Sequence, residues 1–188
     1  MTAVMSRAVH LMTTDDDPGG ARYHRRMEPR HVILVQFATN LLTYAALMRW
    51  FLYPRLKDRP RHQALTPLVM FHSIRTLGMF AVYPAFTGPE VAASDWARHV
   101  AIGDFCTVIL ALISVALLRV KHRFALALVW IFSVFGTLDI MNAGRNAMAD
   151  KLLDHPLGPQ AIVIAVGVPA LIVTHATIFV LLLRRESR

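Results

Sequence analysis

Five long apolar stretches, each about 20 residues, are packed into 188 residues, and this leaves the chain few ways to fold. Wound as a helix, a run of that length matches the roughly 30 Å hydrocarbon core of a bilayer. A lone strand facing lipid would leave its backbone groups unpaired, so each run is expected to be a helix. The expected fold is all-α, a polytopic membrane bundle with transmembrane helices at about 31–53, 65–83, 97–118, 124–142 and 160–183. A water-soluble helical core is excluded, because so short a chain cannot surround five all-apolar helices with polar ones.

Composition agrees. Charged residues make up 17% of the chain, against about 25% in soluble domains. The net charge of +8 sits in tails and short loops beside the apolar runs. That pattern sets membrane orientation and contacts lipid headgroups; it does not point to nucleic acid. The single cysteine, Cys106, lies inside an apolar run and reads as a small packing residue. No CxxCH, CxxC or HExxH is present, which removes covalent c-type haem, zinc-ribbon and zincin readings.

Residues 1–30 are polar and irregular, with Asp15-Asp16-Asp17, Pro18-Gly19-Gly20 and several arginines. This tail is expected to be disordered, and Met27 offers an alternative start. The connection from Pro54 to Ala64 is basic, that from Pro84 to Trp96 acidic, and Arg119 to Arg123 a tight basic turn. Ala143 to Pro159 is longer and has room for an interfacial turn of helix. A basic tail closes the chain at 185–188.

Five spans put the two termini on opposite sides. The side with the first loop, the third loop and the C-terminus carries 11 Lys and Arg residues. The other carries 8, or 4 if the chain starts at Met27. Cytoplasmic loops are enriched in Lys and Arg, so the expected topology has the N-terminus outside and the C-terminus cytoplasmic. For a bacterial chain this means the inner membrane, since outer-membrane spans are barrel strands.

Ionisable groups in hydrocarbon are expensive and usually face the bundle interior with a partner. Five stand inside the spans: His72, Arg75, Asp104, Asp139 and His175. At about 1.5 Å per residue, His72 and His175 share a depth, roughly 10 Å from the cytoplasmic face. Asp104 and Asp139 lie nearer the outer face, and Arg75 falls between the two layers. His72 and Arg75, three residues apart, share a helix face. Gln36, Asn40 and Thr43 form a stripe on the first span. Pro169 should break the fifth helix and free a backbone carbonyl near Ala165. Gly78, Gly103 and Gly136 allow close helix approach.

Four functions fit these residues. In a small permease or ion-coupled carrier, Gln36, Asn40, Arg75, Asp104 and Asp139 line the interior and bind substrate or couple protons. Without an internal repeat, a homo-oligomer would complete the path. In a b-type haem or quinone protein of electron transport, His72 and His175 supply axial imidazoles and Arg75 a propionate or quinone contact. In a lipid or isoprenoid enzyme, the aspartates act as acid and base or hold a cation, although no DxxD or Ser-His-Asp signature is present. In an assembly subunit of a membrane complex, every polar group is interhelical glue. The sequence favours binding or transport, with the bilayer as the one certain partner and haem b as the alternative cofactor.

Overall fold

A computed structural model describes residues 29–184. The segment before residue 29 and the tail at 185–188 lie outside the described residues. All regular structure among the described residues is helical. Five helices are long and apolar enough to cross a membrane: α1 (Arg30–Lys57), α2 (Arg61–Val82), α3 (Asp95–Arg119), α4 (Ala125–Ala149) and α5 (Gln160–Leu183). The bundle architecture expected from the apolar runs is the one observed.

Several helices outrun their apolar cores, because a wound backbone continues until something stops it. The sequence places Pro67 in the first turn of its span. α2 instead begins at Arg61, which puts Pro67 inside the helix. A proline there has no N–H for the carbonyl four residues back, that of Gln63. α4 runs on to Ala149 and absorbs the first part, 143–149, of the connection expected at 143–159. α3 starts at a Ser94 cap, whose hydroxyl oxygen accepts the Ala97 N–H at 3.2 Å. α3 ends at a turn in which Lys121 takes a left-handed φ of 53°.

α3 stands at the centre, packed against both α2 and α4, and α5 packs on α4 and α2. α1 leans mainly on α5. Two apolar clusters fill the interior. The larger, towards the 54–64 connection, includes Leu65, Val69, Val129, Phe132 and Ile178, all fully buried. The smaller, towards the 84–94 connection, includes Ala81, Trp96, Ala97 and Leu157. Trp96 is buried here and donates its indole N–H to the Ala143 carbonyl at 3.0 Å. The polar residues occupy the level between the two clusters.

Two departures from α-helix frame that level. From His72 to Val82, α2 is a 3₁₀ helix. Side chains three apart then eclipse, so His72, Arg75, Gly78 and Ala81 form one buried row. In α5 a π-helical turn, Val163–Gly167, immediately precedes the turn that holds Pro169.

Candidate functional site

The row on α2 places Arg75 in the middle of the bundle, 3% exposed. Its guanidinium meets two carboxylates from different helices. Nε donates to Asp104 Oδ1 on α3 at 2.6 Å. Nη2 donates to Asp139 Oδ2 on α4. Nη1 lies 3.3 Å from the Gly136 carbonyl oxygen, which accepts from it. The planar fork of arginine suits this, since its donors point in fixed, separate directions. Three helices are therefore tied at one point by one side chain. The formal charges of the triad sum to −1. The carboxyl side chains keep 11% and 14% exposure against 2% for Arg75.

Three glycines make room for this layer. A Cβ on Gly78 would stand 1.6 Å from Asp104 Oδ2, and one on Gly103 would stand 1.9 Å from Asp139 Oδ1. A Cβ on Gly136 would stand 2.7 Å from His175 Nε2. Each polar side chain thus lies flat on the backbone of the neighbouring helix, where any side chain would displace it. The sequence marks these glycines only as sites of close approach; the facing acid or imidazole emerges from the fold.

Below the triad, towards the larger apolar cluster, His72 and His175 meet with ring centroids 4.1 Å apart. Phe132 packs on both, at 5.0 and 5.3 Å. The shared depth expected of the two histidines is a direct contact. His72 Nε2 lies 3.0 Å from Thr174 Oγ1, and that hydroxyl reaches the Ala170 carbonyl at 2.9 Å. The chain of bonds is satisfied when the ring N–H donates to the hydroxyl and the hydroxyl to the carbonyl. His72 Nδ1 and both ring nitrogens of His175 are buried without a hydrogen-bond partner among the described residues. Thr174 is a neighbour of the pair that sequence reasoning did not single out, because a threonine in an apolar helix usually bonds its own backbone. Bis-imidazole haem ligation needs a macrocycle between the rings and two metal–nitrogen bonds of about 2 Å. Rings in mutual contact leave no such gap.

The stripe expected on the first span divides. Asn40 Nδ2 donates to the Ala165 carbonyl at 2.9 Å. Ala165 is four residues before Pro169, so this is the carbonyl that the proline deprives of its helical donor. Asn40 therefore closes the break in α5 and forms no bond to the triad. Gln36 is exposed on the outside of α1 and does not line the interior as expected. The cause is that α1 touches the bundle along one narrow edge, only 6% of its apolar window being buried. Thr43, also exposed, donates to the Thr39 carbonyl of its own helix at 2.8 Å. No group of three or more metal-ligating side chains occurs among the described residues.

These features define a class: a bundle of membrane-spanning helices with a buried Arg–Asp–Asp cluster and an adjoining histidine pair. The chain belongs to DUF8737, a domain of unknown function that matches residues 32–183. The match takes in all five helices and every polar residue of the cluster. No curated protein and no solved structure matches the chain.

Proposed function

We propose that the protein binds a small molecule or ion at the Arg75–Asp104–Asp139 triad and carries it across the bilayer, coupled to a proton or another monovalent cation. The observation that carries this reading is the charge of the triad. One arginine between two carboxylates leaves one negative charge in a low-dielectric layer, where an uncompensated charge is costly. A proton or monovalent cation brings the site to neutrality. An anionic or zwitterionic substrate competes for Arg75 and releases a carboxylate to take the cation. The histidine pair below, with its unpartnered ring nitrogens, offers the next stage for a proton. Beyond it Val69, Val129, Phe132 and Ile178 close the path, so movement requires that layer to part. Helix breaks at a mid-membrane site, such as the π turn before Pro169, are a recurring device for such motion.

The charge of the loops supports a reading with the N-terminus outside, the C-terminus in the cytoplasm and the triad closer to the outer face of an inner membrane. A homo-oligomer would enclose the sides of the triad that a five-helix bundle leaves thinly covered.

The test is flux in proteoliposomes under an imposed pH gradient, with mass spectrometry of the detergent-purified protein to identify the co-purifying substrate. Wild-type vesicles should take up that substrate in proportion to the gradient. Asp139→Asn, which removes the surplus negative charge, should abolish the dependence on pH. Unchanged proton-dependent uptake would remove Asp139 from the mechanism, and no flux in wild-type vesicles would leave the triad as interhelical glue.

A further inference from the structure

At the end of the bundle that carries the 54–64 and 119–124 connections, a cleft of about 610 Å³ opens between α2 and α3. Three cations stand on it: Arg59, Arg119 and Lys121. No carboxylate lines it. The side chains of these three make no ion pair or hydrogen bond among the described residues. Lys121 holds the left-handed backbone that a glycine would take without strain, so an ammonium sits where the turn alone would favour glycine.

Inward from the cations, the wall of the cleft changes character along one face of α2. His62, Thr66 and Met70, at successive i, i+4 positions, all line it, with Pro67 beside them. His62 Nε2 is buried and has no hydrogen-bond partner among the described residues. The Thr66 hydroxyl donates to the His62 carbonyl at 2.7 Å. Met70 and Phe71 are exposed, where the helix enters the apolar run. From His62 to Met70 the groove descends roughly 12 Å, so it passes from the charge at its mouth through imidazole and hydroxyl to thioether. That gradient follows a phospholipid from its phosphate to its first acyl carbons.

We infer that this cleft is a binding site for an anionic phospholipid, with the phosphate held by Arg59, Arg119 and Lys121 and an acyl chain laid along Pro67 and Met70. It is separate from the triad and does not depend on the transport reading. A free phosphate shares the headgroup chemistry, but it would leave the apolar half of the groove unused.

Native mass spectrometry of the full-length protein in detergent tests this, with phosphatidylglycerol, phosphatidylcholine and inorganic phosphate as separate probes. Wild-type protein should retain phosphatidylglycerol at least fivefold better than phosphatidylcholine. Each cation removed should cut that preference by roughly fivefold, as expected for one Lys or Arg at an anionic surface. R119Q/K121Q should lose roughly 25-fold of the preference, leaving only the share of Arg59, and R119K/K121R should keep it. Arg98→Gln, at the opposite end of the bundle, should change nothing. Arg59→Gln lies in the connection outside the helices and provides the same readout if the double variant fails to fold. An equal preference in wild type and R119Q/K121Q would overturn the site. Displacement of phosphatidylglycerol by millimolar inorganic phosphate, with no preference between the two lipids, would overturn the lipid reading in favour of a soluble anion.

Discussion

Two adjacent layers of the same bundle are packed by opposite means. Around Phe132, large apolar side chains fill the space between α2, α4 and α5, with Leu65, Val69, Val129 and Ile178 fully buried. One turn or two further along, at Arg75, the space is filled by a guanidinium and two acid side chains, the acids set against bare glycine backbone. The apolar layer tolerates exchange of one hydrophobe for another of like volume. The polar layer does not, because each acid is fixed at both ends, by an arginine N–H and by a glycine with no room to spare. Rigid positioning of this kind is what a binding site needs, and it is also what glue would need. The two roles separate when charge and shape are altered independently.

The largest effect should follow Arg75→Leu. It strands two carboxylates in the interior, and breaking a buried pair by removing one partner costs about 3–5 kcal/mol. The melting temperature in detergent should collapse. Replacing all three members with leucine should recover most of that loss, since a buried ionic cluster is often no more stable than a well-packed apolar one. A stable triple variant without flux assigns the triad to function; a triple variant that still transports assigns it to packing.

A smaller effect, about 1–3 kcal/mol, should follow Gly78→Ala or Gly103→Ala, whose new Cβ overlaps a carboxylate oxygen. Gly144→Ala in the same bundle is the control, because nothing lies within 4 Å of its Cβ position. There, loss of backbone freedom in the unfolded chain should stabilise α4 by about 0.5–1 kcal/mol. Equal thermal shifts at Gly78 and Gly144 would show that the triad layer is looser than the glycine contacts imply.

Much of this arrangement is legible from residue spacing. Apolar run length defines the five helices, and depth arithmetic puts Arg75 between the acids and the imidazoles. The carbonyl stranded by Pro169 is predictable from the missing N–H alone. Three things are not legible, each for a physical reason. The 3₁₀ stretch His72–Val82 replaces one hydrogen-bond register by another within the same apolar run, and composition does not distinguish them. That Asp139 meets the same guanidinium as Asp104 depends on how α3 and α4 pack around α2, which depth along the chain does not give. The rotation of α1 is hidden because its faces are nearly equally apolar, so nothing in its periodicity says which side of the Gln36–Asn40–Thr43 stripe turns inward.

That rotation gives the smallest and most discriminating test. Asn40 and Gln36 are one helical turn apart on α1, carry the same amide chemistry, and differ in what they touch. Asn40→Leu should unlatch α1 from the break in α5, leaving the Ala165 carbonyl unsatisfied. Interhelical hydrogen bonds in membranes average about 0.6 kcal/mol and reach about 1–2, so a modest loss of stability is expected. Pro169→Ala restores the N–H that Ala165 lacks, so in that background Asn40→Leu should cost nothing. Gln36→Leu moves no bond within the chain and should be neutral or slightly stabilising in a monomer. If Gln36→Leu instead destabilises as much as Asn40→Leu, in a manner that grows weaker on dilution in detergent, then the exposed side of α1 is covered by another subunit. A double-mutant cycle of thermal shifts at two protein concentrations distinguishes the two outcomes.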